Sequence, residues 1–308
     1  MPRRRTLLKT AALLAAAPAS LFTTSSTALP VSGGSLISKA IPSSGERIPV
    51  VGIGANRYSY DQNPETIAPL LETLGKFAEL GGGVIDTAPS YGSSEIALGN
   101  IIEQLGVGNR FFIATKCDQS RELDTIKQIA TSTNRLKSGK LDLVCVHSLT
   151  NWQQSLPILR EQKAAGRARY IGITTSRNSQ FNEVADILES EPLDFVQLNY
   201  SLAERNAEQR LLKVAAEKGV AVMANLPFAR GRLFSAVKGH TVPEWAADFD
   251  ATSWARLFLK YIVSHPAVTC AIPGTTKLHH LVDNMGAAMG KMPNAEQRAR
   301  IESYFASL

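Results

Sequence analysis

A (β/α)8 TIM barrel of the α/β class, preceded by a β-hairpin, is the fold that this 308-residue sequence predicts, on three observations. Eight short apolar runs alternate with longer amphipathic stretches from residue 48 onward, which is how repeated βα units around a parallel sheet read in sequence. Asp86, Lys116 and His147, each at the end of such a run, are 30 and 31 residues apart, enough for one strand, loop and helix per step. With 44% hydrophobic residues, the chain can build one large core. A doubly wound sheet alternates in the same way, but the first run continues as "GIGANR" (52–57), which lacks the third glycine of a dinucleotide loop.

The elements follow in order. Residues 1–29 read as an export signal: Arg3, Arg4 and Arg5 precede a short apolar run, Ala11 to Phe22, and a small-residue stretch ending at Ala28. Paired arginines followed by Thr6, Leu7, Leu8 and Lys9 resemble a twin-arginine signal, whose receptor passes folded cargo. The expectation is a periplasmic or otherwise exported protein with the Tat machinery as a transient partner, and a cytoplasmic one if the signal does not function. The apolar run is shorter than the roughly 20 residues of a membrane span, so stable membrane insertion is not expected. Arg3, Arg4, Arg5 and Lys9 also supply four of the six net positive charges. The remaining +2 suggests no nucleic-acid partner.

Residues 30–308 form the predicted barrel. Its first part, "GSLISKAIPSSGERIPV" (34–50), reads as two short strands around a Ser-Gly turn covering the N-terminal end. The eight predicted barrel strands are 48–54, 83–87, 111–116, 141–147, 170–174, 195–199, 221–227 and 268–274. Between them, residues 65–80, 93–106, 156–166 and 207–219 carry helical patterns, and residues 293–308 an amphipathic closing helix. The segment 228–250, with Arg230, Arg232, Trp245 and Phe249, is a long loop of the kind that is often functional. Cys117, Cys145 and Cys270 sit in apolar runs without metal-ligand spacing and are expected as buried free thiols.

"GGGVIDTAPSYG" (81–92) first suggests a phosphate loop. Its glycines, however, follow a helix and precede a strand, the reverse of the phosphate-loop order. They are expected to end the helix and turn the chain. The chemistry is expected just beyond them. Barrel enzymes place reacting groups at the C-terminal ends of their strands, and those positions hold Asp86, Tyr91, Lys116 and His147. Each alone has a bland explanation as a cap, a loop anchor, a surface charge or a packed histidine. Together they make a proton donor to a carbonyl: a phenol whose pKa a nearby lysine lowers, an aspartate that pairs with the lysine, and a histidine that orients the carbonyl oxygen.

At this point the sequence resembles the aldo-keto reductase family. The resemblance is carried by "IDTAPSYGSSEIALGNII" (85–102), "FFIATK" (111–116), "LDLVCVH" (141–147), "GRARYIGIT" (166–174), "FVQLNYSL" (195–202) and "AIPGTTKLHHLVDN" (271–284). It implies an NADP-dependent oxidoreductase that reduces a small-molecule aldehyde or ketone with NADPH, or with NADH, and has Tyr91 as general acid. It further implies nicotinamide contacts from Thr174, Thr175 and Gln197, with cofactor contacts from Gly54, Pro227 and Phe228. The adenosine phosphates would lie on Gly274, Thr275, Thr276, Lys277, His280 and Asn284. Three positions depart from the common family pattern. Asn225 or Leu226 stands where an aromatic ring often stacks on the nicotinamide, His280 where an arginine often grips the 2′-phosphate, and Asn56 where a tryptophan often lines the pocket. Tyr58, Tyr60, Trp152 and Phe228 are candidate pocket residues. The competing reading is a barrel that binds cofactor for sensing or regulation with little turnover; a metal-dependent hydrolase lacks the His, Asp and Glu cluster that it needs.

Overall fold

The computed structural model describes residues 36–61, 63–119 and 121–308. The expected export signal lies outside them. Strands β1 (Ser38–Ala40) and β2 (Arg47–Pro49) pair antiparallel with Lys39 opposite Ile48. Ile41 and Ile48 are buried against Val84, Phe112, Leu143 and Phe195, so the hairpin plugs the N-terminal end of the barrel. Lys39 Nζ fastens it there by donating to the carbonyls of His265 (2.8 Å) and Val268 (2.6 Å).

The barrel strands are β3 (Ile53–Gly54), β4 (Val84–Asp86), β5 (Phe112–Cys117), β6 (Leu141–Val146), β7 (Ala168–Thr174), β8 (Phe195–Asn199), β9 (Ala221–Asn225) and β10 (Val268–Ala271). Each pairs in parallel with its sequence neighbour. Parallel bridges Val51↔Ala271 and Gly54↔Gly274 close the ring. The run 48–54, expected as one strand, therefore serves two sheets. Val50 is where it switches: its N–H donates to Ile37 on the hairpin side (3.1 Å), while its carbonyl accepts from Ala271 of the barrel (2.9 Å).

The helices are α1 (Pro64–Glu79), α2 (Ser94–Leu105), α3 (Glu122–Leu136), α4 (Trp152–Ala164), α5 (Phe181–Ser190), α6 (Leu211–Glu217), α7 (Arg232–Ala236), α8 (Trp254–Val263), α9 (Leu278–Gly286) and α10 (Ala295–Ala306). The helix expected over 207–219 is shorter. A 3-10 turn over Asn206–Glu208 precedes α6, and the Glu208 carboxylate is held there by Tyr200, Arg205 and Arg298. The segment 228–250 is not an open loop, since it contains α7 and a 3-10 helix over Glu244–Phe249.

Gly81, Gly82 and Gly83 end α1 as the element order implies. The Gly81 N–H bonds the Ala78 carbonyl and the Gly82 N–H the Phe77 carbonyl, a Schellman closure with Gly81 at φ +81°. At Gly82 a Cβ would lie 2.2 Å from the Phe77 ring, so the second glycine lets the chain cross its own helix end.

Strand alternation aims the side chains. Val84, Phe112, Ala114, Leu143, Cys145, Phe195 and Met223 fill the barrel interior. Continuing with the same parity to the C-terminal rim brings Asp86, Lys116, His147, Gln197 and Asn225 inward. Cys145 and Cys270 are free thiols inside this core, and Cys117, the last residue of β5, is a free thiol in the core between strands and helices. Burial raises all three above the usual thiol value.

Candidate active site

Asp86 ends β4 and Lys116 faces it from β5. They form a buried ion pair, with Nζ 2.8 and 3.0 Å from the two carboxylate oxygens. The ammonium also donates to the Thr87 carbonyl at 2.7 Å, which occupies its three protons. Asp86 accepts a further hydrogen bond from Gln197 Nε2, 2.9 Å away on β8.

Tyr91 sits in the loop between β4 and α2. Its N–H donates to the Ala88 carbonyl (3.1 Å), its carbonyl accepts from Ser94 N–H (3.1 Å), and Gly92 follows at φ +60°. This tight turn presents the half-buried ring with its centroid 5.1 Å from Lys116 Nζ. The His147 ring meets it edge-on, 6.0 Å between centroids.

Burial raises the Tyr91 phenol above its usual pKa; the Lys116 ammonium pulls it down, Asp86 pushes it up, and the net direction is upward. The lysine acts downward as expected, but burial outweighs it. The phenolate would lose water, while much of the lysine's field is spent on Asp86. Tyr91 thus keeps its proton at neutral pH. Burial also opposes charge on Lys116, but Asp86 and Tyr91 outweigh it and hold the ammonium above its usual value.

His147 follows β6 directly. Burial, then the Lys116 charge, lowers its pKa, with Asp118 and Asp86 opposing; the ring is neutral near pH 7. Its Nδ1 lies 3.3 Å from Ser90 Oγ and 3.9 Å from Asp118 Oδ2. Asp118 is itself held, its Oδ1 accepting from Gln128 (2.7 Å) and Gln119 (3.1 Å). In the tautomer in which Nδ1 accepts from Ser90, the neutral ring carries its proton on Nε2 and is a donor there. Because Asp118 favours the charged ring, Asp118→Asn should move the His147 titration further downward. An NMR titration of the ring resonances reads this, and an unchanged midpoint would refute it.

A cleft of about 770 Å³ opens beside these residues. Gly54, Asp86, Tyr91, Asn225, Phe228 and Gly274 are among those on its wall. Of the residues expected to contact cofactor, Gly54, Pro227, Phe228, Gly274, Thr275, His280 and Asn284 line it. Thr174, Thr175, Gln197, Thr276 and Lys277 do not. Thr175 has the outward parity, and its hydroxyl donates to Gln180 (2.6 Å) and accepts from Arg177 N–H (3.1 Å). Gln197 and Thr174 are buried. Thr276 accepts from Thr73 through its carbonyl, and Lys277 is exposed at the start of α9. Among the aromatic pocket candidates only Phe228 reaches the wall; Tyr58, Tyr60 and Trp152 pack against the core. Arg232 pairs with Glu204, and Trp245 packs at a tilt against Phe249.

The sequence motifs mark Asn225 only as a departure at the nicotinamide-stacking position, and they do not point to Asp118, Ser90 or Arg57. Inward parity on β9 marks Asn225, whose Oδ1 is buried without a hydrogen-bond partner on the cleft wall while Nδ2 donates to the Thr175 carbonyl (3.3 Å). The wall suits an elongated, polar-ended cofactor. It offers this unpaired acceptor near Tyr91, Gly54 and Gly274 without side chains, and the first turn of α9, whose leading N–H groups have no partner within the helix. Among the described residues no His, Cys, Asp and Glu cluster is fit to hold a metal, and no helix is long and apolar enough to cross a membrane.

A lysine-aspartate pair, a tyrosine and a histidine thus gather at the C-terminal rim of a (β/α)8 barrel. The chain belongs to the aldo/keto reductase family, which residues 50–304 match, and is an NAD(P)H-dependent oxidoreductase. It is 26% identical over 254 residues to an aldo-keto reductase, str7, of Strobilurus tenacellus, covering 70% of this chain and 74% of the relative. It is 25% identical over 205 residues to the NADH-specific methylglyoxal reductase of Escherichia coli, covering 56% and 60%. A Klebsiella pneumoniae aldo-keto reductase crystallised with NADPH superposes with a TM-score of 0.74 at 22% identity, over 88% of this chain and 96% of that one.

Proposed function

We propose that the protein reduces an aldehyde or ketone to an alcohol with NADPH, NADH serving as the alternative donor, and that Tyr91, Lys116, Asp86 and His147 form the reacting centre. The observation that carries this is the buried Asp86–Lys116 pair set beside a protonated tyrosine and a neutral histidine, with Asp86 and Tyr91 on the wall of a cleft. A bound nicotinamide supplies a hydride to the carbonyl carbon. His147 donates from Nε2 to the carbonyl oxygen and fixes its orientation. Tyr91 gives its proton to that oxygen as negative charge grows on it, and Lys116 offsets the phenolate left behind. Asp86 keeps Lys116 charged and aimed. Gly54, Asn225, Phe228, Gly274, Thr275, His280 and Asn284 would hold the cofactor along the wall, with Lys277 at the rim of α9. The known cofactors of the relatives, NADPH in the Klebsiella structure and NADH in the methylglyoxal reductase, support both donors.

The test follows NADPH binding by fluorescence and its oxidation with a panel of aldehydes and ketones. Turnover on some of them supports the reading; binding without turnover on any favours a regulatory role. We propose also that residues 1–29 direct twin-arginine export with cofactor already bound, since folded cargo keeps its ligand. Replacing Arg4 and Arg5 by Lys should trap the protein in the cytoplasm, and an unchanged distribution after fractionation rules the route out.

A further inference from the structure

The loop after β3 puts a charged group on the cleft wall that the hydride and proton transfers do not use. Arg57 lines the cleft together with Tyr91 and Asp86. Its loop is stitched to the Tyr91 loop at three points. Ala55 N–H donates to the Asp86 carbonyl (2.8 Å), Ser94 Oγ to the Ala55 carbonyl (2.7 Å), and Tyr60 N–H to Ser93 Oγ (2.7 Å). Between these points the Tyr58 ring is buried in the core. Arg57 therefore rides on a braced loop held against the tyrosine that donates the proton.

Every Asp and Glu of the chain lies among the described residues, and the ion pairs formed there include none to Arg57. The acids on the wall are already committed. Asp86 holds Lys116 at 2.8 Å, and Asp283 holds Arg256 at 2.9 Å. An arginine is charged at every working pH and presents a planar fork matched to a carboxylate. Exposed on the cleft wall and without an internal counter-ion, it adds a positive charge there that a neutral carbonyl compound would not use.

We propose that Arg57 binds a carboxylate on the substrate, so that the protein acts on carbonyl compounds carrying an acidic group, such as aldehydo or keto acids. The fork takes the carboxylate in two parallel hydrogen bonds, and the braced loop fixes its distance from the Tyr91 hydroxyl. This rests on the carbonyl-reductase reading for its chemistry, although carboxylate binding itself does not.

The experiment compares kcat/KM for succinic semialdehyde and for its uncharged methyl ester in the wild type, Arg57→Gln and Arg57→Lys. The wild type should prefer the acid. Arg57→Gln should lose about tenfold or more on the acid, mainly through KM, as expected for a hydrogen bond between charged groups, with the ester unaffected. Arg57→Lys should keep part of the preference. Equal loss on acid and ester overturns the proposal. So does weaker NADPH binding in Arg57→Gln with an unchanged acid-to-ester ratio, which would assign Arg57 to a cofactor phosphate. In parallel, succinate is titrated into the NADPH-loaded protein by saturation-transfer NMR. Binding that Arg57→Gln abolishes supports the carboxylate site even if no carbonyl is turned over, in which case the reductase reading alone fails. Binding that survives in Arg57→Gln places the carboxylate elsewhere and overturns the proposal.

Discussion

Tyr91→Phe should lower kcat/KM for every carbonyl substrate by about 10²–10⁴-fold, the range of a positioned proton donor, with NADPH affinity and melting temperature close to those of the wild type. The substitution removes one hydroxyl. The ring stays between Lys116 and His147, and the turn held by the Ala88 and Ser94 backbone bonds is untouched. Because burial raises the phenol above its usual pKa, the wild type has its proton available across the neutral range. Its rate should fall only when alkaline pH ionises the phenol. The variant should lack that alkaline limb. A neutral His147 donates a hydrogen bond but is a poor proton source, so the residual rate should depend little on pH until acid charges the ring, which Asp118 favours. Steady-state rates from pH 5 to 10 decide this. A loss smaller than tenfold would move the general-acid role away from Tyr91.

The barrel was legible because the strands announce themselves by β-branched apolar runs and half of the ten helices by their period, and the alternation runs through the whole chain. The rim residues were legible for the same reason, since a strand end is easy to locate. What a linear reading handles poorly is direction and competition. Thr174 and Thr175 are neighbours, yet strand parity turns one inward and hands the other to Gln180 and Arg177. Residues 48–54 have the composition of one strand, but Val50 is pulled by two sheets. The Tyr91 pKa has contributions of both signs from burial, Lys116 and Asp86, and only distances decide which wins. Asp118 and Arg57 belong to no motif. Asp118 acts by lying 3.9 Å from an imidazole, and Arg57 by what is absent from its surroundings, so neither leaves a pattern in the chain.

The buried pair at the centre predicts a second large effect, on stability. Asp86→Asn preserves shape and keeps an acceptor for Gln197, but leaves the Lys116 ammonium buried with no counter-ion. Breaking such a pair costs about 3–5 kcal/mol. At roughly 2–4 °C per kcal/mol for a domain somewhat smaller than this one, the melting temperature should fall by about 6–20 °C. The pH dependence separates charge from packing. In the wild type, Lys116 has a folded pKa raised above its usual 10.5. Its stabilisation is therefore complete below that unfolded value and is lost only as pH rises through the higher folded value. In Asp86→Asn the main raising influence is gone and burial pulls the folded pKa below the unfolded one. The penalty is then full below the lowered folded value and fades as pH climbs toward 10.5. The gap in melting temperature between the two proteins should accordingly be widest near neutral pH and narrow by pH 10. Removing both charges in Asp86→Leu with Lys116→Met should recover much of the loss while abolishing turnover, since a dry apolar pair of similar volume is tolerated where a lone charge is not. A gap that stays constant with pH would mean that Asp86 contributes through packing and the Gln197 hydrogen bond. Lys116 would then need another source for the charge that offsets the Tyr91 phenolate.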